Sequence, residues 1–293
     1  MLNRTVLFSL LTLGGLCLPL PAHGQALVPY VLPLDYDRMA EQGRFLASEA
    51  QQLAEFRQFN QALALAQLAS QLAPKDGQVV ALLGGLYLQT GETDQAITLL
   101  EQAKTLAPGD ARVLFALGSA YFQKGDYYQS SRHLEQGLKL EPNNPNAHFD
   151  LGNSYFKLQR YDQAIDSYST SVALEPDFWP SLNNIGLVLY EQGKVSEALA
   201  KWQAASDLTG NQEPEPKLAR AVALYHQEAC RVAANVRGDR CQEAFSLGIE
   251  ALEQDSRYAE LPFLELNLWG QRLIGSTQQF FQSPIIKRLL GEL

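Results

Sequence analysis

The feature that most constrains this chain is an internal period of 34 residues. Glycine recurs at this spacing at Gly84, Gly118, Gly152 and Gly186. In each case a large apolar or aromatic residue stands three positions later, and a small residue stands twelve positions later. Five units fit the period without an insertion: 43–76, 77–110, 111–144, 145–178 and 179–212. Such a period is typical of stacked supersecondary units, each of which buries its apolar face against its neighbours.

Each unit is predicted to form two α-helices. Small residues stand where two helices must approach closely, and larger residues beside them fill the remaining space. Gly91, Gly125 and Gly193 lie between the two halves of their units, where a left-handed residue ends the first helix. In the fourth unit this place holds Gln159, so the turn is less clearly marked there.

Short polar residues mark the start of the first helices. Asp76, Asp110 and Asn144 each precede the first helix of the next unit, as N-cap residues do. Phe178 breaks this pattern before the fifth unit, and Asp177 is the alternative cap there.

These residues closely resemble the tetratricopeptide repeat family over residues 43–212, and more loosely as far as residue 256. The resemblance implies an all-α fold, an α-solenoid in which helix pairs form a right-handed superhelix and the first helices line the concave side. A degenerate sixth unit is expected over 213–256, with helices at 217–236 and 241–254. Residues 257–293 are expected to form helices that cap the end of the array.

The N-terminal residues predict export. A charged start, an apolar run over residues 5–20 and small residues before Gln25 have the layout of a signal peptide covering residues 1–24. Residues 25–42 are expected to form an extended lead-in and the start of a helix. The alternative is an uncleaved membrane anchor, although the apolar run is shorter than the ~20 residues that span a bilayer. The expected location is the periplasm or the thylakoid lumen.

Composition narrows the function. A net charge of −9 argues against nucleic acid as a partner, and 4 His with 3 Cys make a metal cluster hard to assemble. The sequence contains no recognisable catalytic or cofactor-binding motif, so we expect a non-enzyme without a cofactor. Cys230 and Cys241 flank the junction inside the sixth unit, and in an exported chain we expect them to form a disulfide.

The second, fifth, ninth and twelfth residues of each unit form one stripe on its first helix, which we call the inner face. In units three to five this face is rich in aromatic side chains, which suits a groove that holds a peptide or helix. The alternative is that these rings pack against neighbouring repeats or against the N-terminal lead-in. Members of the family that grip extended peptides often carry asparagine on these helices, where the amide pairs with peptide backbone. The candidate groove residues are Phe115, Phe122, Phe149, Asn153, Phe156, Asn183, Asn184, Leu187 and Tyr190.

The family's clamp for acidic C-terminal tails is not indicated. The place of its first lysine holds Phe149, and the next residue, Asp150, is acidic. We therefore expect an interaction scaffold that binds a protein or peptide, with membrane contact only through an uncleaved N-terminal segment. The alternatives are an assembly factor for a membrane complex and a regulatory subunit of a separate enzyme.

Overall fold

The computed structural model describes residues 35–227, Cys230 and residues 239–291. The predicted signal peptide, the first part of the lead-in and most of the junction inside the sixth unit lie outside the described residues. The described helices belong to one of two compact units of the chain, the one that starts at Tyr36.

Every regular element among the described residues is helical, and the first twelve α-helices form six consecutive pairs. Their bounds are α1 Tyr36–Glu55, α2 Phe59–Leu72, α3 Gly77–Gln89, α4 Thr93–Leu106, α5 Ala111–Lys124, α6 Tyr127–Leu140, α7 Pro145–Lys157, α8 Tyr161–Leu174, α9 Trp179–Glu191, α10 Val195–Leu208, α11 Pro214–Gln227 and α12 Asp239–Gln254. The two helices of a pair contact each other most, and each second helix also contacts the first helix of the next pair. This is the predicted all-α solenoid.

The recurring glycines allow the two helices of a pair to meet. A Cβ at Gly118 would overlap Leu134 of the partner helix, and a Cβ at Gly152 would overlap the Tyr168 ring. The equivalent contacts are Gly84 with Leu100 and Gly186 with Trp202. The glycine therefore leaves room for whatever large side chain the second helix presents.

The turn inside each of the first five pairs is left-handed whether or not glycine occupies it. Gly125 has a φ of 84°, and Gln159, at the equivalent place one unit later, has a φ of 57°. Arg57 in the first pair also has a φ of 57°. The helix ends are thus set by the packing of the pair, which imposes this conformation on residues that adopt it at some cost.

Three of the predicted N-caps are confirmed. The side chains of Asp76, Asp110 and Asn144 accept hydrogen bonds from backbone N–H groups in the first turns of α3, α5 and α7. Helix α9 has Phe178 at its N-cap position and no side-chain cap, so Asp177 does not take over this role.

The helices of the sixth pair begin earlier than the sequence suggested. Helix α11 starts at Pro214 and includes Pro216, because the N–H groups of a first helical turn have no partner inside the helix to lose. Helix α12 starts at Asp239.

The chain continues beyond the six pairs as a C-terminal segment, residues 256–291. It contains a short 3₁₀ turn, then α13 (Leu261–Leu266), α14 (Gln271–Phe281) and α15 (Pro284–Leu290). Helix α14 contacts α9 and α11, and α15 contacts α12 and α14. Among the residues that the structure describes, no helix is both long and apolar enough to cross a membrane.

Candidate functional site

The inner face is closed at the fifth and sixth pairs. Residues Asn183 to Tyr190 of α9 are all buried, and so are residues Pro214 to Tyr225 of α11. A helix on an open face would expose one side, so an unbroken run of buried residues requires cover on every side. The cover on the inner side of both helices is α14.

Polar contacts hold the start of α14 against the end of α9. The Glu191 carboxylate accepts hydrogen bonds from the backbone N–H groups of Arg272 and Leu273, at 3.1 and 3.0 Å. The Tyr190 hydroxyl donates to Ser276 Oγ at 2.9 Å. Glu191 thus satisfies two N–H groups at the start of α14 and places a negative charge where the helix dipole favours it.

Apolar side chains of α14 complete this cover. Leu273 and Phe280 are fully buried, and Ile274 and Phe281 are nearly so. Phe280 packs edge to face on the Tyr225 ring, with ring centroids 5.3 Å apart. The C-terminal segment is therefore part of the core.

A buried set of side chains joins the fourth pair to the fifth. Asn153 Oδ1 accepts hydrogen bonds from the Tyr168 hydroxyl at 2.7 Å and from the Asn184 amide at 2.9 Å. All three side chains are buried. The amide of Asn153 therefore serves the contact between neighbouring pairs.

The same polar set continues to the C-terminal segment. Asn183 donates to Asn184 Oδ1 at 3.2 Å and also hydrogen-bonds the Glu215 carboxyl, which accepts from Trp269 Nε1 at 3.1 Å. Glu215 is buried, and this burial raises its pKa to about 7, against the lowering effect of its two hydrogen bonds.

These contacts correct part of the predicted groove. Six of the nine candidate residues are buried: Asn153, Phe156, Asn183, Asn184, Leu187 and Tyr190. Helix α14 covers α9, the polar set joins the three asparagines, and the Phe156 ring packs against the Tyr161 ring, with centroids 5.9 Å apart. The capping helices were expected to cover the end of the array, whereas α14 also covers its inner face.

The other three candidates, Phe115, Phe122 and Phe149, remain partly exposed on α5 and α7. The Phe122 ring lies 5.2 Å from the ring of Tyr127, and the Phe149 ring lies 5.4 Å from the ring of Phe178. We call the inner face of the third and fourth pairs, around these three rings, the open groove. Its rings pack against neighbouring side chains on one side and are partly accessible to solvent on the other.

Asp150, which the sequence analysis noted only for its sign, also lies at the open groove. It is partly exposed on α7, and one of its oxygens is 3.4 Å from Ser119 Oγ on α5. Burial raises the pKa of Asp150 to about 6, although the hydrogen bond from Ser119 lowers it. An acidic residue beside Phe149 was the one sequence signal for this group.

The disulfide expected in the sixth unit is present. Cys230 and Cys241 form a disulfide with their Cα atoms 5.7 Å apart. In the part of the chain that the structure describes, no three His, Cys, Asp or Glu residues are grouped so that they could hold a metal ion.

Comparison with protein families identifies the repeats. Models described as TPR repeat match residues 118–159 and 152–193, and one described as Tetratricopeptide repeat matches residues 53–119. The chain is a tetratricopeptide repeat protein. No curated protein matches it in sequence.

Solved tetratricopeptide structures share the fold. A crystal structure of MamA aligns with a TM-score of 0.52 and 22% identity, covering 59% of this chain and 94% of that one. The structure titled MamA MSR-1 aligns with a TM-score of 0.51 and 26% identity, covering 58% and 97%. YrrB, titled a TPR protein with an unusual peptide-binding site, aligns with a TM-score of 0.50 and 16% identity, covering 61% and 94%.

The two parts of the inner face differ in their relation to the tetratricopeptide repeats. The residues of the open groove all lie within the range matched by the family models, whereas the C-terminal segment lies outside it. The segment is therefore an addition to the repeat array that takes up one end of the inner face.

Proposed function

We propose that this tetratricopeptide repeat protein is an exported interaction scaffold that holds a segment of a protein partner in its open groove. The observation that carries the proposal is the partial exposure of Phe115, Phe122 and Phe149, on a face that α14 covers only at the fifth and sixth pairs. Apolar rings left accessible in a concave surface are typical of sites that hold peptides or helices.

The chain's own C-terminal segment supports this reading of the inner face. At the fifth and sixth pairs this face already holds a helix, through apolar side chains and through hydrogen bonds such as that from Tyr190 to Ser276. The peptide-binding site named for YrrB is a further support, since that protein shares the fold. The fold alone does not fix the function, so the proposal depends on the groove residues.

Export is the second part of the proposal, and it rests on the sequence of residues 1–24. A disulfide between Cys230 and Cys241 suits an oxidising compartment such as the periplasm or the thylakoid lumen. The intact mass of the native protein tests it: we expect a mature chain that starts near Gln25, and a mass that includes residues 1–24 contradicts cleavage.

The groove is tested by crosslinking in intact cells followed by mass spectrometry of the captured proteins. We expect Phe122→Ala to abolish capture of the partner, because truncating an anchor ring costs about 2–4 kcal/mol of affinity. The matched control is Tyr128→Ala, which removes a ring that is 57% exposed on the second helix of the same pair. Tyr128→Ala is expected to retain capture.

If Phe122→Ala and Phe149→Ala both capture the partner as well as the parent protein does, the groove proposal is wrong. The identity of the captured protein also separates the alternatives. An assembly factor captures immature forms of one membrane complex, and a regulatory subunit captures one enzyme at a fixed ratio.

A further inference from the structure

The open groove contains a carboxylate whose environment does not neutralise it. Asp150 lies on α7 next to Phe149, one turn before Asn153, and faces Ser119 of α5. Among the described residues, Ser119 is the one side chain seen to donate to it, through a long hydrogen bond of 3.4 Å. A partly buried carboxylate with so little support favours a ligand that supplies positive charge.

From this arrangement we propose that the open groove holds a partner segment with a lysine or arginine among apolar residues, and that its cation pairs with Asp150. The inference rests on the proposed function, because it names the chemistry of the segment that the groove receives.

The nearby polar and charged groups are already committed to other partners. On α8, the Tyr168 hydroxyl donates to Asn153. On α5, Arg112 forms an ion pair with Asp110 at 2.7 Å. Two turns further along α7, burial lowers the pKa of Lys157. The opposite charge of Glu265 in the C-terminal segment raises this pKa again in part. None of these three groups supplies a counter-charge to Asp150.

The titration of Asp150 agrees with this geometry. Burial raises its pKa to about 6, as expected for a carboxyl group that loses water without gaining a cation. An arginine or lysine placed beside it would stabilise the ionised form and lower the pKa again. Binding of a basic segment should therefore weaken as the pH falls below about 6.

The rings of the open groove suit the rest of such a segment. Phe149 is adjacent to Asp150, and Phe115 and Phe122 lie on α5, the helix that also carries Ser119. Aromatic faces attract both apolar side chains and cations, so a basic residue between apolar ones meets complementary surfaces. An acidic segment would instead bring like charges together, in a chain whose net charge is −9.

The test is to pan a random peptide library displayed on phage against the full mature chain. We expect the selected peptides to carry Lys or Arg next to apolar or aromatic residues. Fluorescence anisotropy then measures the affinity of one selected peptide for the parent protein, for Asp150→Asn, and for the control Asp166→Asn, which changes an exposed acid on α8.

Asp150→Asn is expected to weaken binding at least tenfold without lowering the melting temperature, whereas Asp166→Asn leaves the affinity unchanged. Replacing the basic residue of the peptide by glutamine should weaken binding to the parent protein but not to Asp150→Asn, which isolates the pair.

Two other outcomes are informative. Selected peptides that lack basic residues, or that bind Asp150→Asn as tightly as the parent, overturn the inference; if Phe122→Ala still abolishes their binding, the proposed function stands. A library that yields no binding peptide contradicts both.

Discussion

Glu215 is expected to make the docking of the C-terminal segment sensitive to pH. It is buried between Asn183 and Trp269, and Glu213 and Tyr258 are the titratable groups that interact with it. Burial disfavours the charged carboxylate more strongly than the hydrogen bonds from Asn183 and Trp269 favour it, so the neutral acid fits the site better than the carboxylate.

This predicts a protein that loses stability as the pH rises. The pKa of Glu215 is raised from 4.5 to about 7 in the folded chain, so the folded state binds the proton more tightly than the unfolded state does. The stabilisation is complete below about pH 4.5 and is lost as the pH rises through about 7, a difference of roughly 3 kcal/mol. Urea unfolding from pH 5 to pH 8 measures it.

The matched variants are Glu215→Gln and Glu213→Gln. Glu215→Gln is expected to flatten the pH dependence and to be more stable than the parent at pH 8. A smaller slope of the same sign should remain, because burial also raises the pKa of Asp150. A parent protein whose unfolding free energy does not fall between pH 5 and pH 8 contradicts this account of Glu215.

The sequence correctly predicted that the asparagines form hydrogen bonds, but their predicted partner was wrong. Asn184 both donates and accepts through its amide, and Asn153 accepts two hydrogen bonds at Oδ1. Their partners are Tyr168, Asn183 and each other rather than a peptide. Spacing along a helix shows which face a side chain occupies. It does not show what covers that face, because the cover comes from other helices: α8 and α9 for Asn153, and α14 of the C-terminal segment for the inner side of α9.

Within single helix pairs, the helical structure was correctly predicted from the sequence, because the 34-residue period is set by contacts inside a pair and between neighbours.

The C-terminal segment has no such period, and the breaks between its helices depend on packing. The sequence predicted capping helices over 257–293 without their breaks. The chain turns between α13 and α14, where Leu268 has a φ of 68° and is buried. A second break precedes Pro284, which restricts the residue before it.

Two glycines, each on the first helix of a pair, test how closely the two helices of a pair pack. A Cβ at Gly152 would overlap the Tyr168 ring, whereas a Cβ at Gly85 meets no atom within 4 Å. Gly152→Ala is expected to destabilise the protein by about 1–3 kcal/mol through overpacking. Gly85→Ala is expected to stabilise it by about 0.5–1 kcal/mol, because alanine favours a helix interior.

Chemical denaturation of the two variants measures both effects. Equal destabilisation by Gly152→Ala and Gly85→Ala would show that the loss comes from the helix itself and not from contact with Tyr168.

For the whole molecule, the repeat array and the C-terminal segment together decide where a partner can bind. The array presents a continuous inner face, and the segment takes up the fifth and sixth pairs of it. The family resemblance predicted the array but could not predict this division, since the segment lies outside the matched repeats. The partner-binding surface that we propose accordingly lies at the third and fourth pairs.

The open groove includes Phe122 on the third pair but not its equivalent on the fourth pair, Phe156. Phe156 holds the same place one unit later, is 7% exposed and belongs to the main core, whereas Phe122 is partly exposed. The direct measurement is the unfolding free energy of Phe122→Ala and Phe156→Ala, determined side by side. We predict a loss of about 3–5 kcal/mol for Phe156→Ala, as for a core ring, and a clearly smaller loss for Phe122→Ala. An equal or larger loss for Phe122→Ala would contradict the account.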